Sequence, residues 1–432
     1  MRRATRWMAV IAVAALAVSG CSEAEPEATI STVDTEADID CTTDLLACAR
    51  ASTLGDLVPT ETTKATGEPI KLGMINQENT PAGSFPELSA AANAGIAFIN
   101  EQLGGVDGRP IELEVCNTKF SPEGSTTCAQ QFSEAAMPVV LGGIDIFGNG
   151  VDTLEANNIP FVGGIPVSAQ SVENANSFQF SGGTWGAAIA FAEYASTELK
   201  AERIAILYGE FGPIVQGAEY AETVAARHGV ETQMVPYPIV ATDLSSQANA
   251  AVSADPDAII VLAADTACKP AMDALHASGT DAAIFYVGAC AAPAIIDSVD
   301  PDASEGAYFN VEGPIDQSDP TPDTTFYSAV VNEYGDGLNP IGAGTVSFRS
   351  LMNLYVVLRE LGADGITAEA ITTTFEAKVD APSFMGHDYT CDQQQLEGLP
   401  AMCSPQQILG QVKDGELGQV SDWIDVGAIY AG

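Results

Sequence analysis

Short apolar runs of strand length alternate with amphipathic segments of helix length through most of this chain. The first run, residues 70–75, is followed by apolar residues at helical spacing from Leu88 to Ile99, and Gly104-Gly105 marks the end of that helix. Further strand-like runs lie at residues 111–115, 139–141, 160–162, 204–208, 232–235, 258–262, 283–287 and 307–311. Strands that alternate with helices predict parallel sheets with helices on both faces.

The length of the chain predicts more than one sheet. With 432 residues the chain is too long for a single hydrophobic core. We therefore expect an α/β fold with two successive parallel sheets, each forming a Rossmann-like lobe. Ligands of such sheets bind at the carboxyl ends of the strands, so two facing lobes would form a pocket in the cleft between them.

Charge and motifs exclude several classes of function. The net charge is −42, from 58 acidic and 16 basic residues, and this balance argues against nucleic acid as a partner because phosphate contacts need clustered Lys and Arg. The sequence has no G-x-S-x-G, P-loop or H-E-x-x-H motif, and its three histidines are scattered. We therefore predict no catalytic residue, no cofactor and no metal site.

The N-terminus has the pattern of a secretory signal. Arg2, Arg3 and Arg6 precede a short apolar stretch, and small residues come directly before Cys21. The run Val18-Ser19-Gly20-Cys21 resembles a bacterial lipobox, which implies a signal peptide over residues 1–20 and a lipid on Cys21. Residues 21–68 are rich in Glu, Asp, Thr, Ala and Pro, and this composition predicts a flexible tether. No later apolar stretch is long enough to cross a membrane.

Nine cysteines fit one lipidated residue and four disulfides in an oxidising compartment. Sequence alone cannot fix the connectivity, because eight cysteines allow roughly a hundred pairings. The spacing favours local pairs, which would be Cys41 with Cys48, Cys116 with Cys128, Cys391 with Cys403, and Cys268 with Cys290.

Several motifs together resemble the type I periplasmic binding proteins of the leucine/isoleucine/valine-binding kind, over roughly residues 70 to 427. The motifs are Ile70-Lys71-Leu72-Gly73 in the first strand, Ala94-Gly95-Ile96-Ala97-Phe98-Ile99-Asn100 in the first helix, the turn Gly104-Gly105-Val106-Asp107-Gly108-Arg109-Pro110, and Arg203-Ile204-Ala205-Ile206-Leu207 at the start of the second lobe. The turn is the most specific of them.

The resemblance implies a domain organisation. In this family the chain crosses between lobes three times, which here would fall near residues 179–182, 308–312 and 383–386. Lobe one would comprise residues 69–181 with 309–383, and lobe two residues 182–308 with 384–428. Three crossing strands form a hinge that bends without shearing either core.

The resemblance also implies a function. It predicts a monomeric solute receptor, held by its lipid at the outer face of the cytoplasmic membrane, that delivers a small molecule to an ABC permease.

The candidate ligand-binding residues follow from the same resemblance. Members that hold amino acids use a serine after strand three, a small-residue and threonine segment after strand four, and a carboxylate in lobe two. The matching places here hold Asp145-Ile146-Phe147, Gly163-Gly164-Ile165-Pro166 and Cys290, so the amino-acid clamp is not evident. We expect a more apolar cleft with a few polar anchors. The candidates are Gln77, Glu78, Asn79, Asp145, Ile146, Phe147, Gly164, Pro166, Phe211, Asp265 and Cys290.

Two other functions stay open at this point. A receptor of the same fold could signal to a membrane partner without transport, and neighbouring permease genes would separate the two roles. An exported hydrolase is the second alternative, and turnover assays on amides and esters would detect it.

Overall fold

The structure is a computed structural model that describes residues 40–80, 83–313 and 320–432. The predicted signal peptide, the lipobox and Cys21 lie outside these residues. Within the described part, each of the nine predicted strand-like runs overlaps an observed strand.

The first part of the chain alternates strands and helices, as its apolar pattern predicts. The elements are α1 (Leu45–Ala51), β1 (Ile70–Asn76), α2 (Pro86–Gln102), β2 (Ile111–Asn117), α3 (Pro122–Glu134), β3 (Val140–Gly142), α4 (Asn149–Ala156), β4 (Phe161–Val162), α5 (Ala169–Glu173) and β5 (Ser177–Phe178). A short 3-10 turn, Gly55–Leu57, follows α1. The five strands form one parallel sheet in the order β2-β1-β3-β4-β5.

The middle of the chain builds a second sheet. Its elements are α6 (Gly183–Thr197), β6 (Arg203–Gly209), α7 (Gly212–Arg227), β7 (Glu231–Tyr237), α8 (Ser245–Val252), β8 (Ala258–Leu262), α9 (Asp265–Ser278), β9 (Ala283–Tyr286), α10 (Pro293–Ile296), α11 (Pro301–Ser304) and β10 (Tyr308–Val311). The central strand β8 is buried at every residue, because helices cover both faces of the sheet.

The last part of the chain contributes to both lobes. It contains α12 (Pro322–Tyr334), α13 (Gly344–Leu361), α14 (Ala368–Glu376), β11 (Ile408–Lys413), β12 (Glu416–Gln419) and α15 (Val426–Ala431). The hairpin β11-β12 adds antiparallel to β10 and completes a seven-stranded sheet in the order β12-β11-β10-β9-β8-β6-β7. No helix in the described part of the chain combines the length and apolarity needed to cross a membrane.

The two sheets have separate hydrophobic cores, which confirms the predicted α/β fold with two lobes. The first lobe buries residues of α2, α12 and α13 against its sheet, with a smaller cluster around Phe132 on the opposite face. The second lobe buries α6, α7 and α9 against the seven-stranded sheet.

The turn between α2 and β2 closes the end of the first lobe that lies at the amino ends of its strands. Gly105 has φ +64°, and a Cβ there would lie 2.1 Å from the Arg109 carbonyl oxygen, so only glycine fits. The Arg109 side chain donates to the main-chain oxygens of Glu68, Pro69 and Ala363. The motif therefore anchors the start of β1 and has no contact with the cleft end of the sheet.

Residues 40–68 differ from the flexible tether predicted for residues 21–68. Leu46, Ala49 and Leu54 are buried in the core of the first lobe, and the Ala65 N–H donates to the Asn100 oxygen at 2.8 Å. Few apolar residues make these contacts, which explains why the segment shows little apolar periodicity.

The third crossing also differs from its expected position at residues 383–386. Cys391 and Cys403 still lie in the core of the first lobe, whereas Leu396, Leu399 and Met402 between them lie in the core of the second. The chain thus inserts a loop into the second lobe, returns to the first, and crosses again before β11.

The four disulfides have the predicted pairing. They join Cys41 to Cys48, Cys116 to Cys128, Cys268 to Cys290, and Cys391 to Cys403. Each bond closes a short loop, and both cysteines of each pair belong to the same lobe.

Asp323 links the segment after α1 to the first lobe, and its replacement should destabilise the protein. Its carboxylate accepts hydrogen bonds from the Thr53 N–H and hydroxyl, both at 2.7 Å, and from the N–H of Met385 at 2.6 Å. Asp323→Ala leaves the Met385 N–H, in a residue only 4% exposed, without this acceptor. We expect a loss of about 2 kcal/mol in the free energy of unfolding, measured by urea denaturation.

The control is Asp422→Ala, at an exposed loop residue, which should change the free energy of unfolding by less than about 0.5 kcal/mol. Equal effects of the two variants would contradict the assignment of Asp323 as a link.

Candidate functional site

The loops at the carboxyl ends of the parallel strands in the two sheets meet, and aromatic side chains make part of the contact. Phe147 follows β3 in the first lobe, and Phe211 precedes α7 in the second, with ring centroids 6.5 Å apart in an edge-to-face arrangement. Phe120, which follows β2, lies 5.2 Å from Phe147. All three rings are half-buried. Two of the predicted site residues, Phe147 and Phe211, are therefore brought together across the cleft.

Carboxylates from both lobes also approach one another in the cleft. Glu78 follows β1, Glu87 lies in the first turn of α2, and Asp265 is the first residue of α9 in the second lobe. Burial raises the pKa of Glu87, and the negative charges of Asp265 and Glu78 raise it further. Burial also raises the pKa of Asp265. The cleft thus holds like charges on both walls, which favours a proton or a positive group between them.

Glu78 is the best supported of these acids. Its Oε1 accepts hydrogen bonds from Asn76 Nδ2 at 3.0 Å and from the Ser89 hydroxyl at 2.5 Å. Its main-chain N–H and oxygen both pair with the side chain of Asn117. These bonds fix Glu78 between β1 and β2 while leaving it half-buried at the cleft end of the sheet.

Asp145 is buried, whereas a residue that contacts a solute would be exposed at the surface of the cleft. The residue is 6% exposed, and its Oδ2 accepts a hydrogen bond from the Ser125 hydroxyl at 2.5 Å. Burial raises its pKa, and the Ser125 bond opposes that rise. The same Ser125 oxygen accepts from the N–H of Gly150 at 2.6 Å. Asp145 therefore holds the start of α4 in place behind the cleft wall.

Three other candidates have hydrogen bonds within the first lobe. Gln77 is fully buried, and its Nε2 donates to the Gly83 oxygen at 3.2 Å. The N–H of Gly164 donates to the Ser350 hydroxyl at 3.3 Å. Asn79 is exposed, with φ 53°. These contacts give Gln77 and Gly164 a role in shaping loops.

The remaining candidates form walls of the cleft region. Ile146 is half-buried against the core of the first lobe. Pro166 is buried beside the first crossing, where a Cβ on Gly183 would lie 2.2 Å from its oxygen. Cys290 is fully buried and bonded to Cys268, so its sulfur is not a free ligand group.

A buried ion pair lies at the crossings between the lobes. Arg349 of α13 and Glu312, directly after β10, have Nη2 and Oε2 3.4 Å apart, and their side chains are only 3% and 16% exposed. A second guanidinium nitrogen donates to the main-chain oxygen of Glu312. Burial raises the pKa of Glu312, and the Arg349 charge opposes the rise.

Three residues of this region were absent from the sequence prediction. Glu87 and Phe120 could have been found, because Glu87 lies just before the predicted first helix and Phe120 lies in the loop after the second predicted strand, both at the cleft end. Arg349 has no such signal. It lies in the middle of an amphipathic helix, where a charged residue normally faces solvent.

The family model described as periplasmic binding protein matches residues 69–402 of this chain. That range covers well over half of the 432 residues. No curated protein matches the chain in sequence.

Three solved structures share the fold. A leucine-binding protein from Thermotoga maritima is 17% identical with a TM-score of 0.67, over 82% of this chain and 98% of its own. A solute-binding protein of an ABC transporter from Rhodopseudomonas palustris, in complex with 3,4-dihydroxybenzoic acid, is 16% identical with a TM-score of 0.67, over 84% and 98%. A fatty acid ABC transporter substrate-binding protein from Thermomonospora curvata is 16% identical with a TM-score of 0.66, over 86% and 96%.

The raised pKa of Glu87 predicts that its effect on thermal stability depends on pH. A carboxyl group whose pKa is higher in the folded state binds more protons there, so its contribution to stability falls as the pH rises through the folded pKa. Glu87→Gln removes that cost and should raise the Tm at pH 7 by about 2 °C. The gain should shrink as the pH is lowered and Glu87 takes up its proton, which happens above the usual range of a glutamate.

Calorimetric melting curves from pH 4 to pH 7 measure this effect. Glu134→Gln, at an exposed residue of α3, is the control and should leave the Tm unchanged throughout. A Glu87→Gln protein that melts below wild type at pH 7 would contradict the proposed charge crowding.

Proposed function

The chain belongs to the periplasmic binding protein family, and from this premise we propose that it is a non-catalytic receptor for a small organic solute. The solute would bind in the cleft and be enclosed when the lobes close on their hinge. The observation that carries the proposal is the contact of Phe147 with Phe211 from the two lobes at the carboxyl ends of the sheets. The negative charge of Asp265 in the second lobe also raises the pKa of Glu87 in the first. Enclosure by two lobes needs such groups on both walls.

We further propose that the receptor serves an ABC importer. The support is indirect: two of the matched structures are named as ABC transporter binding proteins, and one of them holds an aromatic acid. The identities of 16% to those two proteins carry the fold alone, so the partner permease is a proposal for this chain.

The chemistry of the cleft favours one class of solute. Phe120, Phe147 and Phe211 offer an apolar surface that suits an aliphatic or aromatic body. Glu87 and Asp265 lie where an amine or amide could relieve the crowding of negative charge. We therefore propose a solute with an apolar body and a hydrogen-bond-donating or cationic group.

The anchor is part of the same proposal. Eight of the nine cysteines form the four disulfides, and the ninth is Cys21, within the lipobox-like run Val18-Ser19-Gly20-Cys21. We propose that Cys21 carries the lipid that holds the receptor at the outer face of the cytoplasmic membrane.

Replacing Cys21 tests the anchor. Cys21→Ser removes the thiol that would take the lipid, so we expect the protein to leave the membrane fraction or to remain unprocessed. Fractionation followed by immunoblotting measures this, with Ser22→Ala as the matched control. Unchanged membrane binding of the Cys21→Ser protein would refute the anchor while leaving solute binding open.

Leucine, isoleucine and valine should bind weakly or not at all. A buried zwitterion needs donors for its carboxylate, and Ile146 and Pro166 occupy the places where the family has those donors. Isothermal titration of ligand-stripped protein measures the affinity, and micromolar binding of any of the three amino acids would refute this expectation.

A matched pair of ligands isolates the carboxylate. Phenethylamine carries the aromatic body and ammonium of phenylalanine without its carboxylate, so it should raise the Tm more than phenylalanine does. At a hundredfold excess over its dissociation constant, a ligand of the folded state adds about 2.7 kcal/mol of stability. Phe211→Ala should weaken the effect of any solute that binds.

A further inference from the structure

Arg349 is an unusual residue to find inside the first lobe. It lies on α13 between Phe348 and Ser350, both buried, and its own side chain is 3% exposed. A guanidinium removed from water is costly unless it is paired and hydrogen-bonded. The position of Arg349 is therefore tied to the position of its partner.

That partner is the residue at which the chain leaves the second sheet. Arg349 donates to the main-chain oxygen of Glu312, and its Nη2 lies 3.4 Å from the Glu312 carboxylate. One planar fork thus holds both the backbone and the side chain of Glu312, which fixes the second crossing against α13.

The other crossings lie close to the same pair. Ser181, in the first crossing, lies close enough to the Glu312 carboxylate to lower its pKa. Gly386, in the loop that leads to the third crossing, approaches Arg349 so closely that a Cβ would lie 3.0 Å from Arg349 Cδ. A Cβ on Gly313 would lie 3.0 Å from the Met385 oxygen, so the second crossing also touches that loop.

This ion pair is distinct from the others in the described residues. Six ion pairs are present there, and the other five each join residues of a single lobe and are more exposed. Among the ion pairs of the described residues, only Arg349–Glu312 joins a helix of the first lobe to a crossing segment.

We propose that the Arg349–Glu312 pair is the pivot of the hinge, the fixed point about which the two lobes rotate. The proposal rests on the hinge closure proposed above and adds the residues that position it. With the pair in place, the second crossing cannot slide along α13, so the lobes bend about one point. Without the pair, the lobes sample a wider range of angles.

The test measures the shape of the ligand-free protein. Arg349→Met combined with Glu312→Gln removes both charges while nearly retaining the side-chain volumes. We expect a larger radius of gyration and a longer maximum dimension than wild type, by small-angle neutron scattering of the full chain in solvent-matched detergent. Thermal melting of the same sample shows whether each lobe is still folded.

The chain offers a control with the same local chemistry. Arg203 donates through Nε to the main-chain oxygen of Asp255 at 2.9 Å and pairs with its carboxylate at 3.2 Å, but both residues lie in the second lobe and the pair is exposed. Arg203→Met with Asp255→Asn should leave the scattering unchanged. If this control changed the scattering as much as the hinge variant does, the pivot would be refuted.

A folded hinge variant with the scattering of wild type overturns the pivot. Should that variant fail to fold, Arg349→Lys replaces it, because lysine keeps the charge and loses the fork. Arg349→Lys should also enlarge the radius of gyration, and an unchanged value overturns the proposal. No solute is present in these measurements, so a receptor that binds none of the tested solutes would refute the proposed function and leave this result intact.

Discussion

The chain crosses repeatedly between the two sheets. Both sheets therefore depend on hydrogen-bond partners for the buried main chain of these crossings. Polar backbone groups out of water must be paired, and here the crossings pair with one another. The N–H of Gln179 donates to the Ala401 oxygen at 2.8 Å, and its own oxygen accepts from the N–H of Cys403 at 2.9 Å. Asn310 at the end of β10 donates to the Gln407 side chain at 3.0 Å. The crossings therefore behave as one element, and the cleft lies above it.

The acidity of the cleft is a local property that the overall charge does not report. A net charge of −42 describes a solvated surface, where water and salt screen each carboxylate. Glu87 and Asp265 are partly removed from that screening, and the charge of Asp265 raises the pKa of Glu87 in the other lobe. The proposed closure of the lobes would bring such groups together, so the chemistry of whatever lies between them would bear directly on closure.

The sequence predicted the parts of the fold that depend on repeated local pattern. The run Ala258–Leu262 reads as a buried strand because all five residues are apolar, and the structure confirms it. Ser177–Phe178 is too short to give such a signal, and β11 and β12 contain glycine, glutamine and charge. β11 pairs with β10, which lies about a hundred residues away in the chain, and β12 pairs with β11.

Part of the candidate site could be located from the sequence, for the same reason. Loops after strands can be located from sequence, which brought Phe147, Phe211 and Asp265 into consideration. Whether a loop residue faces the cleft or its own loop depends on partners such as Ser125 for Asp145 and Gly83 for Gln77. The depth of Arg349 depends on a residue in another segment, and no pattern around it in the sequence carries that information.

The connectivity of the disulfides has a consequence for how the protein responds to its redox environment. None of the four bonds ties one lobe to the other, although the Cys391–Cys403 bond closes the loop that reaches between them. Oxidation therefore stiffens each body without locking their relative rotation. Reduction would loosen the walls of the cleft, whereas the crossing segments would keep their hydrogen bonds and ion pair. Rigidity within each lobe and motion between the lobes would thus depend on different kinds of bond.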